Sequence, residues 1–574
     1  MAKAYLEASP IEDSNILIVD YASSIGGTWA TERLYPDLKT NNIVGSYEFS
    51  DYPMDLQRYC LKPHQHIPGT VVHRYLSDFA EHYGLTPRMQ LRTRVEAANL
   101  QEDGSWIIEF STNGPDRRET LGRLVASKLV LATGLTSEPY MPVFSGQEIF
   151  KGHIFHSKQF KNRIDQISSS QKVVVIGGNK SAWDVCYAAA RFGAKVHIIM
   201  RPSGGGPSHV WRPIRVLGLE TSLSRLSLTR LFTWVDPNPF GSAGKTARWL
   251  LHQNSLGRKI CLLFWGFLDQ YICRTNGYDE VDSQVRMMKP WTSTFWMGNS
   301  LSIHNYETDW FQLVRDGQIT PHVAEVLSLT ETLVQLSDGT SIEVDALVCC
   351  TGWKFIPAIK FSPEWAASEI FGGNLDSEVA KDVRSEVLQR CPVLKSAPIR
   401  KLPPGTPSGK DASMGPNEAQ SLRLCRFMVP TSPRLFQKRN VAFIGAHLSI
   451  HAVMLAQVQA LWIVAFFQDK LSLDVEDQNS LAFDTALHSE YEKLRRPKEA
   501  GGTGNRFPDL VFDSLPYVDM VLGDLGMRAK RKGSWWKDVF SPYSLADYKG
   551  LVQEWLALVT RKNDGAGPNQ SVSS

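Results

Sequence analysis

The stretch Lys172–Arg201, KVVVIGGNKSAWDVCYAAARFGAKVHIIMR, concentrates residue types that could hold a phosphorylated cofactor. An apolar run, VVVI, leads into Gly177-Gly178-Asn179-Lys180-Ser181-Ala182 and then into a helical pattern. In a turn of this kind the first glycine bends the chain and the middle small residue lets backbone approach a pyrophosphate. The last lets the helix pack closely on the strand. Gly177 and Ala182 fit the outer positions, while Asn179 stands at the middle one, where tolerance of positive φ is expected. Amides at the start of the helix would face the phosphates. The following strand, KVHIIM, ends in Arg201 rather than an acid, which suits the 2′-phosphate of NADPH better than the free ribose hydroxyl of NADH. Gly177, Gly178, Asn179, Lys180, Ser181 and Arg201 are thus the candidate NADPH contacts. The plainer alternative is a Rossmann-like turn that binds nothing.

A second, less complete group lies at the start, MAKAYLEASPIEDSNILIVDYASSIGGTW. It reads as a helix, a buried strand ending in Asp20, and a glycine turn. Asp20 stands where an acid would bind an adenosine ribose, and Gly26 and Gly27 would let the chain pass close to a cofactor, with Thr28 and Trp29 following. A Gly-Gly turn on its own is more often simply a loop. The strand and Gly-x-Gly-x-x-Gly loop that would open such a unit have no counterpart in the sequence, so the expectation is a dinucleotide unit incomplete at its first turn.

Four glycine-punctuated βα-like segments organise the chain: the two above, KLVLATGLTSEPYMP, and the pair DALVCCTGW and NVAFIGA. Strands alternating with helices imply parallel sheets with ligands at their carboxyl ends, hence an α/β fold. The complete unit lies between pieces of the other, which predicts one Rossmann-like domain inserted in another. Residues 1–146 and 335–470 would form the outer domain, 147–334 the inserted one, and 471–574 a helical C-terminal extension. The inserted domain carries an aromatic-rich excursion near 210–300, including KICLLFWGFLDQYI. That run is too short to span a bilayer and packs in the core, or else covers an apolar substrate or rests on a bilayer surface. The uncharged run from Val441 to Gln468 is read as a strand, a polar loop and a buried helix rather than a membrane span.

A net charge of +3 over 574 residues argues against a nucleic-acid partner. Eight cysteines without a Cys-x-x-Cys pair fit reduced thiols and a cytoplasmic setting, and exclude a disulfide reductase. No basic-then-apolar leader opens the sequence. His64 and His66 form a His-x-His pair without a third ligand nearby, which reads as a loop rather than a metal site. RAKRKGSWWK reads as a solvated basic face.

Phe150–Phe160, FKGHIFHSKQF, fits F-x-G-x-x-x-H-x-x-x-F and immediately precedes the NADPH-type strand. In this it resembles flavin-containing monooxygenases and their Baeyer–Villiger relatives. IGGTW, YPDLKTN, FSDYPM, YLSDFAEHYGL, LATGLTSEPYMP, DWFQLVRDGQI, DALVCCTGW and AQVQALW resemble the family in order and spacing, over most of the chain. LPYVDMVLGDLGMRAKRK and SPYSLADYKGLVQEWL resemble its fungal branch associated with secondary metabolism. The resemblance implies FAD and NADPH, with one oxygen atom from O2 passed through a flavin hydroperoxide to an organic, apolar small-molecule substrate. It implies that Asp20, Gly26, Gly27, Thr28, Trp29 and Thr40 hold FAD and that the Val95 backbone meets the adenine. Asn41 matches a family asparagine near flavin and nicotinamide, where an amide could stabilise the oxygenated flavin; read on its own, Asn41 is equally a turn residue. His156 reads as structural or conformational rather than as an acid–base group. Phe160 and Lys161 stand where Baeyer–Villiger enzymes tend to carry Trp followed by Pro or Asp, which tilts the expectation towards heteroatom oxygenation with ketone oxidation as the alternative. The competing class is a non-catalytic homologue deficient in FAD.

Overall fold

The computed structural model describes residues 1–9, 15–114, 119–216, 219–240, 245–280, 283–296, 301–373, 377–398, 421–473 and 477–563. The chain opens with α1 (Ala2–Ala8) and the short β1 (Ile18–Val19). An antiparallel ribbon follows, β2 (Lys39–Ile43) with β3 (His66–Pro68), leading into α2 (Gly69–His82). The two-residue strand β4 (Met89–Gln90) runs parallel to β1, with Ile18 opposite Met89. Then β5 (Thr93–Leu100), β6 (Trp106–Asn113) and β7 (Glu119–Ala126) make an antiparallel meander. Its alternation is visible in β6, where Trp106 and Ile108 are buried and Glu109 is exposed, as expected of a sheet with one wet face. β8 (Leu129–Leu131) closes this first part of the outer unit.

The inserted unit is built on one five-stranded parallel sheet, with a three-stranded antiparallel sheet of residues 326–343 and two short two-stranded pairings beside it. The five parallel strands are β9 (His153–His156), β10 (Lys172–Ile176), β11 (Lys195–Met200), β12 (Ile319–Val323) and β13 (Ala346–Cys349), in the spatial order β9-β13-β10-β11-β12. VVVI in β10 is apolar throughout because both faces of the sheet are covered. Val173 and Val175 pack into one core, and Val174 and Ile176 into another. α3 (Lys180–Arg191) connects β10 to β11 and buries Ala182, Val185, Cys186 and Ala189 against the sheet.

One boundary differs from the sequence reading. DALVCC, assigned there to the outer domain, forms β13 between β9 and β10. The inserted unit therefore runs to about Thr351, and the chain crosses back at Trp353–Lys354, which pairs with Glu138–Pro139. An all-apolar strand has no pattern that says which sheet receives it, so its segment could not be placed by periodicity. NVAFIGA does not pair with it. It supplies β14 (Val441–Phe443), parallel to β8.

The excursion contains α4 (Arg230–Val235) and α5 (Ser255–Asn276). The uncharged run resolves into β14, a loop, and α6 (Ala452–Phe467), as expected from sequence. α6 is apolar on every side and almost wholly buried, the form such a helix takes inside a large domain. Among the described residues no helix is long and apolar enough to cross a membrane. The extension adds α7 (Gln478–Arg495), α8 (Ser514–Asp524) and α9 (Trp535–Phe540). It is tied to the excursion by buried ion pairs. Arg230 reaches both Asp519 and Asp538, and Arg495 meets Asp236 at 2.7 Å. Removing one partner of such a pair strands a buried charge, at a cost of about 3–5 kcal/mol. All eight cysteines are free thiols.

Candidate cofactor site at the junction of the two units

Four parallel strands end in glycines of positive φ: Gly177 after β10 (144°), Gly352 after β13 (92°), Gly134 after β8 (62°) and Gly445 after β14 (71°). A side chain on Gly134, Gly352 or Gly445 would touch nothing within 4 Å, so their backbones border open space. Gly27, at φ 59°, is open in the same way. Bare backbone at the carboxyl ends of parallel strands is where such folds receive dinucleotides.

In the inserted unit Gly177 has a different reason to be glycine: a Cβ there would stand 2.6 Å from the Cys350 carbonyl oxygen. Gly178 is likewise closed in, with Gly206 O 2.4 Å from where its Cβ would be. Both glycines serve contacts within the protein. Asn179 caps α3 with φ −97°, an extended conformation, so the positive φ expected at this middle position is not used. The turn is made by Gly177, and Asn179 needs no special freedom. Asn179 and Ser181 are exposed at the start of the twelve-residue helix α3, whose first amides are available to an anion. Ala182 is fully buried on the strand. Arg201 follows β11, half-buried, and its guanidinium has no hydrogen-bond or ion-pair partner among the described residues. Lys180 is committed elsewhere. Its ammonium contacts Asp184 and donates to the Tyr306 hydroxyl at 3.1 Å.

On the outer side, Asp20 follows β1 and its Oδ1 accepts from the Ala22 amide at 2.9 Å. The backbone of Asp20 and Ala22 bonds to Thr93 and Arg92, so the start of β5 is fixed to this turn. Val95 lies two residues further on, half-buried at the β-bulge that separates it from Ala97. Gly26 (φ 115°) caps the short 3-10 turn Gly27–Trp29. Thr28 is exposed, and the Trp29 indole donates to the Tyr47 hydroxyl at 2.9 Å.

The alternation of β2 separates Asn41 from its neighbours. Thr40 and Asn42 are buried on one face and Asn41 lies on the other. The Thr40 hydroxyl donates to Asn42 O and accepts from the Ile67 amide at 3.0 Å, so that side chain holds the ribbon together. Asn42 donates to Ile450 O at 2.8 Å. The Asn41 amide has no partner among the described residues.

Two seams bring the units together. The first joins the fingerprint Phe150–Phe160 to the LATGLTSEPY loop. Lys158 donates to Ser137 O at 2.5 Å and Tyr140 N to Gly352 O at 3.1 Å; within the outer unit the Thr28 and Thr136 hydroxyls lie 3.4 Å apart. His156 Nδ1 accepts from the Lys158 amide at 3.1 Å, which leaves the proton on Nε2 to be donated to Gly352 O at 3.0 Å. Burial pushes the His156 pKa down to about 4, so the ring is a neutral bracket between strand and turn.

The second seam centres on Asp184. It accepts from Tyr35 and from Tyr306 at 2.8 Å each, while Lys180 closes the group. Burial first, and the carboxylate second, raise both phenols well above their usual range, so they remain donors. Beside them Asn305 donates to Thr40 O at 3.1 Å. Asp184, Tyr306 and Asn305 were not found from sequence. The signal for Asp184 was its place one helical turn after Lys180 on α3, and Tyr35 stood within YPDLKTN; nothing in sequence linked the two. Among the described residues no group of three or more His, Cys, Asp and Glu side chains could hold a metal ion.

Two Rossmann-type units with glycine turns at the ends of parallel strands and, among the described residues, an unpaired arginine and no metal-ligand group define an α/β dinucleotide-binding protein. Comparison with known proteins narrows this. The profile of the flavin-binding monooxygenase-like family matches residues 22–212. An FAD-dependent monooxygenase of Aspergillus nomiae is 31% identical over 97% of this chain and 96% of its own. One from Pyrenophora dematioidea is 32% identical over 92% of this chain and 96% of its own. The chain belongs to the flavin-binding monooxygenase family. The fold agrees with solved structures. Polycyclic ketone monooxygenase of Thermothelomyces thermophila superposes with a TM-score of 0.55 at 16% identity, over 98% of this chain and 87% of its own. Cyclohexanone monooxygenase of Rhodococcus sp. Phi1 bound to NADP+ gives 0.52 at 13%, over 99% and 96%.

Proposed function

We propose that this protein uses FAD and NADPH to insert one atom of O2 into an apolar organic metabolite, in fungal-type secondary metabolism and in the cytoplasm. The observation that carries the reading is full-length similarity to fungal enzymes named FAD-dependent monooxygenases. The eight free thiols suit a reducing compartment.

The residues present fit both cofactors. Gly27, Gly134 and Gly445 leave bare backbone against open space, and Asp20 has a carboxylate oxygen beyond the one that accepts from Ala22. Asp20, Gly26, Gly27, Thr28, Trp29 and Val95 would hold FAD. Arg201 and the first amides of α3, with Ser181, would hold NADPH, the guanidinium taking the 2′-phosphate. Bound together these cofactors supply hydride transfer and activation of O2. The protein orients and excludes water. Asp184 fixes Tyr35 and the first turn of α3 relative to one another, and Thr40 and Asn42 hold β2 so that Asn41 is presented on its free face, where its amide would be available to donate a hydrogen bond to a bound cofactor. His156 keeps the Gly352 turn in place without exchanging a proton.

The test is the purified chain itself. Flavin absorbance at one FAD per chain is expected, with oxygen uptake that requires NADPH and a metabolite mass gain of one oxygen from cell extracts. A folded, colourless protein that takes up no oxygen with both cofactors added would sink the reading. The product of a ketone or a thioether probe then decides between carbon–carbon insertion and heteroatom oxygenation.

A further inference from the structure

We infer that the face formed by α5 and α9 docks onto the interfacial layer of an anionic phospholipid bilayer. Leu256, Ile260, Leu263 and Phe267 recur at intervals of four, three and four residues, which places them in one stripe along α5. That stripe points outward: Leu263 is 74% exposed and Phe267 63%. The opposite stripe, Cys261, Trp265, Leu268 and Ile272, is the one that packs. Trp265 meets Phe512 at 5.2 Å and Phe295 at 5.6 Å. A helix apolar on both sides belongs inside a protein, yet this one is half in water. Asp269, the only acid on α5, turns inward and accepts from the amide and hydroxyl of Thr294 at 3.0 and 2.9 Å. The turn before α5 adds exposed Trp249 and Leu250.

α9 repeats the arrangement. Trp536 is 67% exposed and stacks on exposed Phe540 at 5.5 Å, next to exposed Trp535. The acid on this helix, Asp538, is buried against Arg230. α4 joins the two patches: its Arg230 holds α9, its Phe232 packs on Phe264 and Trp265 of α5, and its Leu231 is exposed. The charged groups exposed on α5 itself and around α9 are cations, among them Lys259, Arg274, Arg528, Lys530 and Lys537, while the exposed acids just past the end of α5, Asp279 and Glu280, are paired with Lys289 and Arg315.

The chemistry selects the occupant. Exposed apolar surface on this scale marks an interaction site. Tryptophans beside lysines and arginines match the headgroup boundary, where indoles settle and cations meet anionic lipid. A second copy of the chain fits less well, because a two-fold contact would set Lys259 and Lys537 against cations of the same face. Among the described residues no helix can cross a membrane, so α5 lies along the surface.

Flotation of the full chain with vesicles tests this. Binding to vesicles of phosphatidylcholine with phosphatidylserine is expected, with about tenfold less on pure phosphatidylcholine or at high salt. Leu263→Glu with Phe267→Glu should weaken binding by at least about tenfold while leaving far-UV circular dichroism unchanged. If that variant fails to fold, the unaltered chain still decides: failure to float with the anionic vesicles overturns the inference. So does binding of equal strength to both lipids. A dimer in solution that Leu263→Glu disperses, without lipid binding, assigns the face to a second copy and overturns it as well.

Discussion

The two sets of parallel strands are built differently. In the inserted unit five strands of four to six residues share one sheet, and β10 is covered on both faces by separate cores. In the outer unit the parallel strands form three separate pairs, β1 with β4 over two residues, β8 with β14 over three, and Lys360–Ser362 with β5 over three. Among the described residues no strand ladder joins those pairs. The inserted unit therefore carries its own rigidity, whereas the outer turns take theirs from neighbours such as α1, α6 and the β5–β7 meander. The sharpest way to break this contrast is a buried charge. Val175 is fully buried in β10, and Val175→Asp should cost at least about 4 kcal/mol in urea unfolding. Val19, half-buried in β1, should cost about 1–2 kcal/mol on the same change. Equal losses would mean that the outer pairs are as integral as the sheet.

The glycine turns extend the comparison. Gly177→Ala brings a Cβ to 2.6 Å from the Cys350 carbonyl at φ 144°. Backbone has to move, so about 2–4 kcal/mol of stability should go, and NADPH affinity with it. Gly27→Ala faces open space at φ 59° and carries only the left-handed penalty of about 1 kcal/mol. Its effect should appear instead as lower flavin content, read from absorbance per chain. If Gly27→Ala destabilised the fold as much as Gly177→Ala, the outer turn would be a packing device and not a cofactor cradle.

The same contrast decided what could be read from sequence. The inserted site was legible because Lys172–Arg201 carries strand, turn, helix, strand and terminal arginine in one continuous stretch, where local patterns are decisive. β13 was misplaced because ALVC is buried on both faces and has no alternation to reveal its neighbours. Asp184 was invisible for another reason: its partners Tyr35 and Tyr306 lie 149 and 122 residues away, and only tertiary packing brings them within a hydrogen bond. Asn179 shows a subtler failure. A position inferred from a motif to need positive φ takes an extended conformation, because Gly177 alone makes the turn. The exposed stripe of α5 was ambiguous in sequence because an apolar helix reads the same whether protein or lipid covers it.

At the binding sites the contrast becomes one of cofactors. Arg201→Ala removes from the end of β11 a guanidinium that has no partner among the described residues. The KM for NADPH should rise about tenfold or more with little change for NADH, because the lost charge-assisted bond serves only the 2′-phosphate. Asp20→Ala should leave coenzyme preference untouched and lower flavin retention about fivefold, the scale of one hydrogen bond. A parallel loss for NADPH and NADH in Arg201→Ala would remove the guanidinium from the coenzyme site.

The smallest effect concerns the bracket between the units, His156. Its folded pKa, about 4, lies below the 6.5 of a free histidine because burial disfavours the charged ring. Keeping the ring neutral therefore contributes stability that is complete above about pH 6.5 and is lost as pH falls towards 4. Within that window each pH unit removes about 1.4 kcal/mol for one proton. His156→Gln retains a donor towards Gly352 O and cannot titrate. Its stability should fall less steeply between pH 6 and 5 than that of the unaltered chain, by about 1 kcal/mol, as read from urea midpoints. His447 and His451, held to about 4 and about 3 by burial, are common to both proteins and cancel in the difference. Oxygen uptake at neutral pH should stay within about threefold, since a neutral bracket takes no part in proton transfer. A variant that kept the original pH slope but lost oxygen uptake would make His156 an acid–base group in the reaction, and the junction would then be chemical as well as mechanical.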